Sequence, residues 1–380
     1  MANIEHLNLA NFRLFKHFSL EPSPNINLIS GINASGKTSI LESIWYLATG
    51  TSFCTKNLDD LFHRTSDSGS IFSENPIHLL NIQAKISQEN DSLATPTTYS
   101  IQRKDGKNQF FIADKIQKNA IKHAEKLATV LVTPENLLMI GGAPSLRRKR
   151  LNWGCFYIFP LYHKILSRYE RALKQRNKAL KRQYANQEIQ QWDSILAREA
   201  RYISECRESY LELLEPHFKH ALECTVHSLD SKAISMKYDN TINTSPATEL
   251  SEQFWLHSYE KSLQRDRRDG YTNYGPHRGD MHIKLQDRMV DNWLSRGQWK
   301  ILSSVLLLSQ AMLLKQKSNL QPIVLIDDFS SELDAKHQDN FIRYIHDHIG
   351  GQTFISAVST DRLKKEIKHY NIKCFELMDR

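Results

Sequence analysis

Apolar and polar residues alternate along residues 4–9 and again along residues 26–29, and the repeat then lengthens. Ile40, Leu41, Ile44, Trp45 and Leu47 recur at the spacing of one helix face. The first part of the chain, to about Val132, reads as short strands and turns, with further strands at residues 77–86 and 98–102 and a polar loop at 87–97. A mixed sheet is the simplest account of these strands. From about Pro134 the pattern changes. Residues 160–225 contain Pro160 and Pro216 but no glycine, and apolar residues return every three or four positions (Ile165, Leu166, Tyr169, Leu173; Ile195, Leu196, Tyr202, Ile203). This predicts two long helices, an antiparallel pair turning near residues 183–186. Mixed structure follows to about Gln286. The last part predicts an apolar helix over 295–317, a strand at 322–326, a helix over 335–349 and a strand at 353–358. No internal repeat and no sustained heptad tract is present, which excludes a long coiled coil.

At 380 residues the chain exceeds one small core and predicts two or three structural units. Cys54, Cys155, Cys206, Cys224 and Cys374 are odd in number and include no C-x-x-C pair, so neither a disulfide framework nor a zinc site is indicated. A cytoplasmic location in a reducing compartment is the expectation. The amino-terminal stretch lacks the apolar core of a secretory signal. The strongest apolar run, residues 305–314, is interrupted by Ser309 and Gln310 and is too short to span a bilayer, so no membrane partner is expected. The formal charge of +8 suits an anionic partner, and solubility alone accounts for it equally well.

Between the strand at 26–29 and the helix that follows lies GINASGKTS, with the spacing G-x-x-x-x-G-K-[ST]. Its members are Gly31, Ile32, Asn33, Ala34, Ser35, Gly36, Lys37, Thr38 and Ser39. Such a loop wraps backbone N–H groups round an anion; the lysine reaches the terminal phosphates and the hydroxyl of Thr38 is a magnesium ligand. The expected ligands are therefore ATP and Mg2+. A second segment, PIVLIDDFSSELD, is an apolar strand ending in two carboxylates. Asp327 is assigned to magnesium, with Thr38, and Asp328 to orienting or deprotonating the attacking water, with Lys37 as its catalytic partner. Alone, an Asp-Asp pair at a strand end is as compatible with a helix cap beside a solvated neighbour. A third segment, LSRGQ at 294–298, precedes the apolar helix and makes Ser295, Gly297 and Gln298 a second anion site. An ordinary serine cap is the alternative.

The three motifs together resemble ATP-binding-cassette dimers, in which each nucleotide lies between the phosphate loop of one subunit and the L-S-x-G-Q signature of the other. A transporter cassette keeps these motifs about a hundred residues apart; here Lys37 and Ser295 are 258 positions apart. The helical insertion between them resembles the nucleic-acid branch of that superfamily, the SMC-like heads. The chain is similar to the RecF family of bacterial recombination mediators over most of its length. The similarity is carried by LNLANFRLFKHFSLEPSPNINLISGINASGKTSILESI, TPEN with GGAPSLRRKRLNWGCF, YGPHRGDM, LSRGQWK and LIDDFSSELD. It implies an α/β fold: an ABC-type P-loop ATPase head with a mixed sheet plus helices, split into residues 1–133 and 291–380, with the signature, Walker B and D-loop in the second part. Between them, residues 134–290 form an inserted, mainly helical arm domain lacking a long coiled coil. It also implies weak DNA-stimulated ATP hydrolysis used as a switch for an ATP-dependent homodimer. DNA at single-strand gaps, double- and single-stranded, is the expected substrate, and RecR, RecO and RecA the expected partners. The alternatives are an ATPase subunit of a membrane transporter or of a nuclease-coupled DNA-processing complex.

Two departures stand out: Ala34 where the family usually has glycine, and Cys54 where an arginine is common. No histidine follows the strand at 353–358, where Ser359, Thr360 and Asp361 stand. Arg13 is expected near the adenosine end by resemblance. Between Arg147 and Arg182 lie twelve lysines or arginines against one acid, Glu170, a density that, beside the cassette motifs, is read as a face for DNA phosphates, with a solvated helix face as the alternative. Arg147–Arg150 are alternatively arm-positioning residues. Trp153, Phe156, Tyr157 and Phe159 are expected in the core, and His277 and Asp280 of YGPHRGD in a structural turn rather than a metal site.

Overall fold

The computed structural model describes residues 2–63, 79–88, 95–226, 229–242, 251–318, 320–329, 334–358 and 372–378. The chain forms two compact units, one of residues 1–137, 224–226 and 303–380, the other of 138–223 and 227–302. The expected division at 133/134 and 290/291 differs from these limits, and LSRGQ counts with the second unit. The reason is local: Ser295 caps the helix that carries the chain across the boundary, so the motif belongs to that helix's first turn.

In the first unit the expected mixed sheet takes the form of two sheets. One is antiparallel, in the order β2-β1-β4-β5-β6-β7, with β1 Ala2–Phe12, β2 Phe15–Leu20, β4 Leu80–Gln88, β5 Thr97–Lys104, β6 Lys107–Ile112 and β7 Lys115–Gln117. The other is parallel, in the order β14-β3-β13-β12-β8, with β3 Ile26–Ser30, β8 Thr129–Val132, β12 Ile323–Ile326, β13 Thr353–Ala357 and β14 Ile372–Glu376. In the antiparallel sheet β4 alternates cleanly, Leu80, Ile82, Ala84 and Ile86 being buried and the residues between them not, because one face is covered; β3, β8, β12 and β13 are buried throughout, as strands of a covered parallel sheet are. Helix α1 (Lys37–Thr49) shares one core with both sheets: Ile40, Leu41, Ile44 and Leu47 pack with Leu7, Ile82 and Ile101 and with Leu131, Leu325 and Phe354. That is why it is apolar on more than one face. The short α2 (Ile121–Lys126) and α3 (Pro134–Leu137) flank β8, and α9 (Ala335–Tyr344), capped by Asp334, follows β12.

The second unit is mainly helical, with α4 (Pro144–Ile158), α5 (Tyr162–Lys181), α6 (Asn186–Thr225, its last residues counted with the first unit) and α7 (Glu252–Asp269). It also holds a three-stranded sheet in the order β11-β10-β9, built from β9 Ile234–Asp239, β10 Asp280–Leu285 and β11 Arg288–Met289. The predicted helix pair is α5 and α6, and its rungs give the direction. Arg176 Nε donates to Asp193 (2.6 Å), Arg168 pairs with Glu199 (3.1 Å), and Arg207 Nε donates to the Tyr162 hydroxyl (3.1 Å). As the α5 number falls the α6 number rises, so the helices run antiparallel. The expected helix at 295–317 is α8 (Arg296–Ser318), and its buried Ser309 satisfies itself on the Val305 carbonyl (2.7 Å). Among the described residues no helix is long and apolar enough to cross a membrane.

Candidate functional site

The phosphate loop leaves the carboxyl end of β3, and Asp327 follows the carboxyl end of β12, with β13 between them. Carboxyl ends of parallel strands are where open α/β sheets bind ligands. Glycine is required at Gly36, whose φ is 100° and where a Cβ would stand 2.7 Å from the ring of Phe15. Lys37 folds back onto the loop, its Nζ donating to the carbonyls of Gly31 and Ile32 (both 2.7 Å). Burial lowers the lysine pKa, opposed by the nearby charges of Asp328 and Asp327.

The two motifs meet in a direct contact. Thr38 Oγ1 donates to Asp327 (3.0 and 3.1 Å to the two carboxylate oxygens). Ser356, at the end of β13, donates to Asp327 Oδ1 (2.7 Å) and accepts the N–H of Asp328 (2.8 Å). Strand register explains it, since Ile355 pairs with Ile326 and brings the next residue of each strand together. Burial raises the Asp327 pKa against the bonds from Ser356 and Thr38. At Asp328 the backbone turns left-handed, φ 52°, a conformation that aspartate tolerates better than most residues. Ser356 was not singled out from sequence; its one signal is a polar residue near the end of an otherwise apolar strand.

The residues present fit a bound triphosphate. The N-cap of α1 is a glycine with no side-chain bond to the first turn, which leaves the helix's leading N–H groups without a capping side chain. The buried Ser35 Oγ has no hydrogen-bond partner. Thr38 and Asp327 are hard oxygen donors already in contact, the chemistry magnesium selects. An open cleft of about 620 Å³ adjoins Thr38 and Ser39, lined also by Arg13, Leu14, Cys54, Thr55 and Phe62. Arg13 is fixed there by a two-pronged bond to Glu42 (2.7 Å from both Nε and Nη2), an acid in α1 that is 1% exposed and also takes the Ser52 hydroxyl. Glu42 is a positioning residue that sequence reading missed.

Ala34 lies in the left-handed region, φ 67°, so the alanine at this loop position is strained. An L-residue there costs roughly 1–2 kcal/mol, part of which glycine returns as unfolded-chain entropy. Ala34→Gly is expected to raise stability by about 0.5–1 kcal/mol in denaturant unfolding; a loss of stability would show that the strain is compensated elsewhere.

In the second unit, Ser295 caps α8 in a reciprocal box: Gln298 N–H donates to Ser295 Oγ (3.3 Å) and Ser295 N–H to Gln298 Oε1 (2.9 Å). Ser295 and Gly297 are exposed. The segment SSEL at 330–333, with most of the expected D-loop, and residues 359–361 lie outside the described residues.

The basic segment divides. Arg147, Arg150 and Arg176 are buried and offer no phosphate contact, in keeping for the first two with the alternative that they position the arm. Arg147 grips Asp280 (2.8 and 2.7 Å) and the carbonyls of Met139, Ile140 and Gly142. Arg176 lies between Asp193 and Asp266 (both 2.6 Å). Buried charge needs such partners. His277 is structural: it takes the Tyr169 hydroxyl at Nδ1 (2.7 Å) and meets the Thr272 carbonyl through Nε2 (3.0 Å), and burial pushes its pKa down to about 4. Trp153, Phe156, Tyr157 and Phe159 are half-buried rather than core, with Tyr157 against both Trp153 and Phe156.

A phosphate loop bonded through its threonine to the acid at the end of the next strand but one, with an L-S-x-G-Q segment capping a helix, defines an ABC-type ATPase of the kind whose heads carry an inserted arm. The family described as RecF/RecN/SMC N terminal domain matches residues 3–377. The chain is 33% identical to the DNA replication and repair protein RecF of Nitrosococcus oceani, covering 99% of this chain and 98% of that one. It is 32% identical to that of Psychromonas ingrahamii, over 96% and 94%. The fold is that of a solved recombination mediator protein RecF-ATP (TM-score 0.82, 24% identity, 99% and 95% covered), and more distantly of an SmcHead bound to the C-winged helix domain of ScpA (0.54, 13%, 96% and 91%). The chain belongs to the RecF family.

Proposed function

We propose that two copies of this chain close around two ATP molecules and hold DNA at single-strand gaps or single-strand/double-strand junctions, in recombinational repair and replication restart. The observation that carries the reading is Gly297. A Cβ there would meet nothing nearer than Ser295 Oγ at 3.9 Å, and its φ is not left-handed. No crowding among the described residues therefore requires a glycine in this first turn of α8. Close approach by something outside the chain accounts for it, and the terminal phosphate of a nucleotide on a second copy is the ligand a helix start favours.

In this reading the loop from Gly31 to Ser39 holds the phosphates, Lys37 neutralises charge on the transferred group, and Asp328 orients or deprotonates the attacking water. Thr38 and Asp327 hold magnesium, which offsets phosphate charge when bound. Ser295, Gly297 and Gln298 engage the partner's nucleotide. Nucleotide then favours the dimer because it touches both copies, and hydrolysis releases it. The cytoplasm is the expected location. The partners implied by family are RecR, RecO and RecA, in keeping with relatives named for DNA replication and repair and a structure named for the RecFOR pathway.

The test is Asp328→Asn with ATP and a gapped duplex. Phosphate release is expected to slow about 10²–10⁴-fold, the range for losing a general base, with slower dissociation from DNA. Unchanged turnover would move the catalytic role to another residue. Sedimentation of the unaltered chain with a non-cleavable ATP analogue checks the dimer itself.

A further inference from the structure

With Arg147, Arg150 and Arg176 removed to the interior, most of the remaining basic residues fall on one side of α5. Lys164, Arg168, Arg171, Lys174, Lys178, Lys181 and Arg182 are all exposed and follow one another at three- and four-residue steps, apart from the adjacent last two. The stripe is about 27 Å long at 1.5 Å per residue. Arg168 is answered by Glu199. Lys164, Lys174, Lys178 and Lys181 have no carboxylate partner among the described residues, and an open groove of about 740 Å³ runs beside Lys174, Lys178, Lys181 and Arg182. Like charges at these spacings repel, so the stripe destabilises its own helix unless an anion lies along it.

The end of the stripe carries exposed rings. Tyr184, 39% exposed, lies in the turn after α5 and takes a bond from Arg182 (3.3 Å). Tyr271, 41% exposed, follows the Gly270 cap of α7 and carries the Arg278 guanidinium 5.0 Å from its ring centre. Both belong to the same end of the unit: Arg267 of α7 bonds the Tyr184 carbonyl (2.5 Å), Thr272 N–H bonds Asn177 of α5 (2.9 Å), and Gly270 faces Lys181. Asp269 nearby is paired with Arg265 and Arg268, Glu199 with Arg168, and Asp193 and Asp266 with the buried Arg176, whereas Glu170 beside the groove and Glu188 in the first turn of α6 are exposed acids.

We infer that the outer face of α5 is a rail for single-stranded DNA, its lysines following the phosphates and Tyr184 and Tyr271 stacking on unpaired bases at its end. A row of cations ending in exposed aromatic rings is the combination that single strands recognise without sequence preference, whereas paired bases in a duplex offer no free ring faces. The inference rests on the DNA-binding reading above and adds to it the surface and the strand form.

The experiment measures binding of a fluorescent oligothymidylate and of a blunt hairpin duplex to the full chain across a salt series. For Lys174→Gln/Lys178→Gln/Lys181→Gln, the slope of log affinity against log salt on oligothymidylate is expected to fall by about 2, at about 0.7 per lost phosphate contact. Arginine at the same three positions is expected to restore it, which separates charge from helix structure. Tyr184→Ala/Tyr271→Ala is expected to weaken oligothymidylate binding about tenfold or more with the slope unchanged. An unaltered slope in the glutamine variant overturns the rail, and equal weakening on the hairpin by the tyrosine variant overturns the single-strand assignment. Failure of the unaltered chain to bind either DNA, with or without ATP, refutes the DNA reading itself.

Discussion

Lys37→Ala is expected to weaken ATP binding about a hundredfold and to abolish nucleotide-dependent dimerisation, as read by sedimentation with a non-cleavable analogue. Two charge-assisted bonds to phosphate, at about 1.5 kcal/mol each or more, give that hundredfold. In the proposed dimer two nucleotides are enclosed, so below saturation the losses are expected to multiply to about ten thousandfold in the dimer equilibrium. The lysine also ties the loop to itself through Gly31 and Ile32, so the variant's unfolding without nucleotide is the control. A destabilised loop shifts that control, whereas loss of phosphate binding does not. Normal dimerisation of the variant with the analogue would remove Lys37 from the site.

The direction of pH effects follows from the same few groups. Asp327 has its pKa raised chiefly by burial, so its carboxylate is protonated at a higher pH than an ordinary aspartate. If Asp327 holds magnesium as proposed, a proton there competes with the metal, and magnesium-dependent ATP binding measured against pH is expected to fall as pH drops through that raised value and to be complete above it. Ser356 and Thr38 oppose the shift by hydrogen bonding the charged form.

Much of this site was legible in sequence because its parts are local. Four fixed residues within eight positions place Gly31, Gly36, Lys37 and Thr38, and an apolar strand ending in acid places Asp327 and Asp328; neither needs knowledge of what lies across the sheet. Ser356 and Glu42 were not legible, because their importance comes from strand register and from a helix packed between two sheets, as in the contacts to Asp327 and from Arg13, each joining residues 29 positions apart. The strands β6, β7 and β14 were missed for a related reason: they lie at or next to sheet edges, where only one face is covered and the alternation is weak. Charge was the least legible quantity. Arg176 and Lys174 are two residues apart in a basic run, yet one is fully buried between Asp193 and Asp266 and the other faces the groove. Composition cannot separate them, since the acids that bury Arg176 come from α6 and α7.

Ser295→Arg is expected to leave ATP binding by the single chain intact and to eliminate the dimer, a loss larger than that of any one contact because a bulky cation fills the place of close approach. The difficulty is that Ser295 also caps α8, and losing a cap costs about 1 kcal/mol by itself. Ser295→Asp resolves it. Aspartate caps a helix as well as serine does and suits the positive end of the helix dipole, so the first turn of α8 keeps its structure. Its charge, however, repels a phosphate brought up to the same N–H groups. If Ser295 acts across two copies, both variants bind ATP as monomers and neither dimerises. If it is only a cap, the aspartate variant dimerises as the unaltered chain does. If nucleotide binding itself is lost in the aspartate variant, Ser295 serves the nucleotide of its own chain, and the reading of two copies fastened by shared phosphates is refuted.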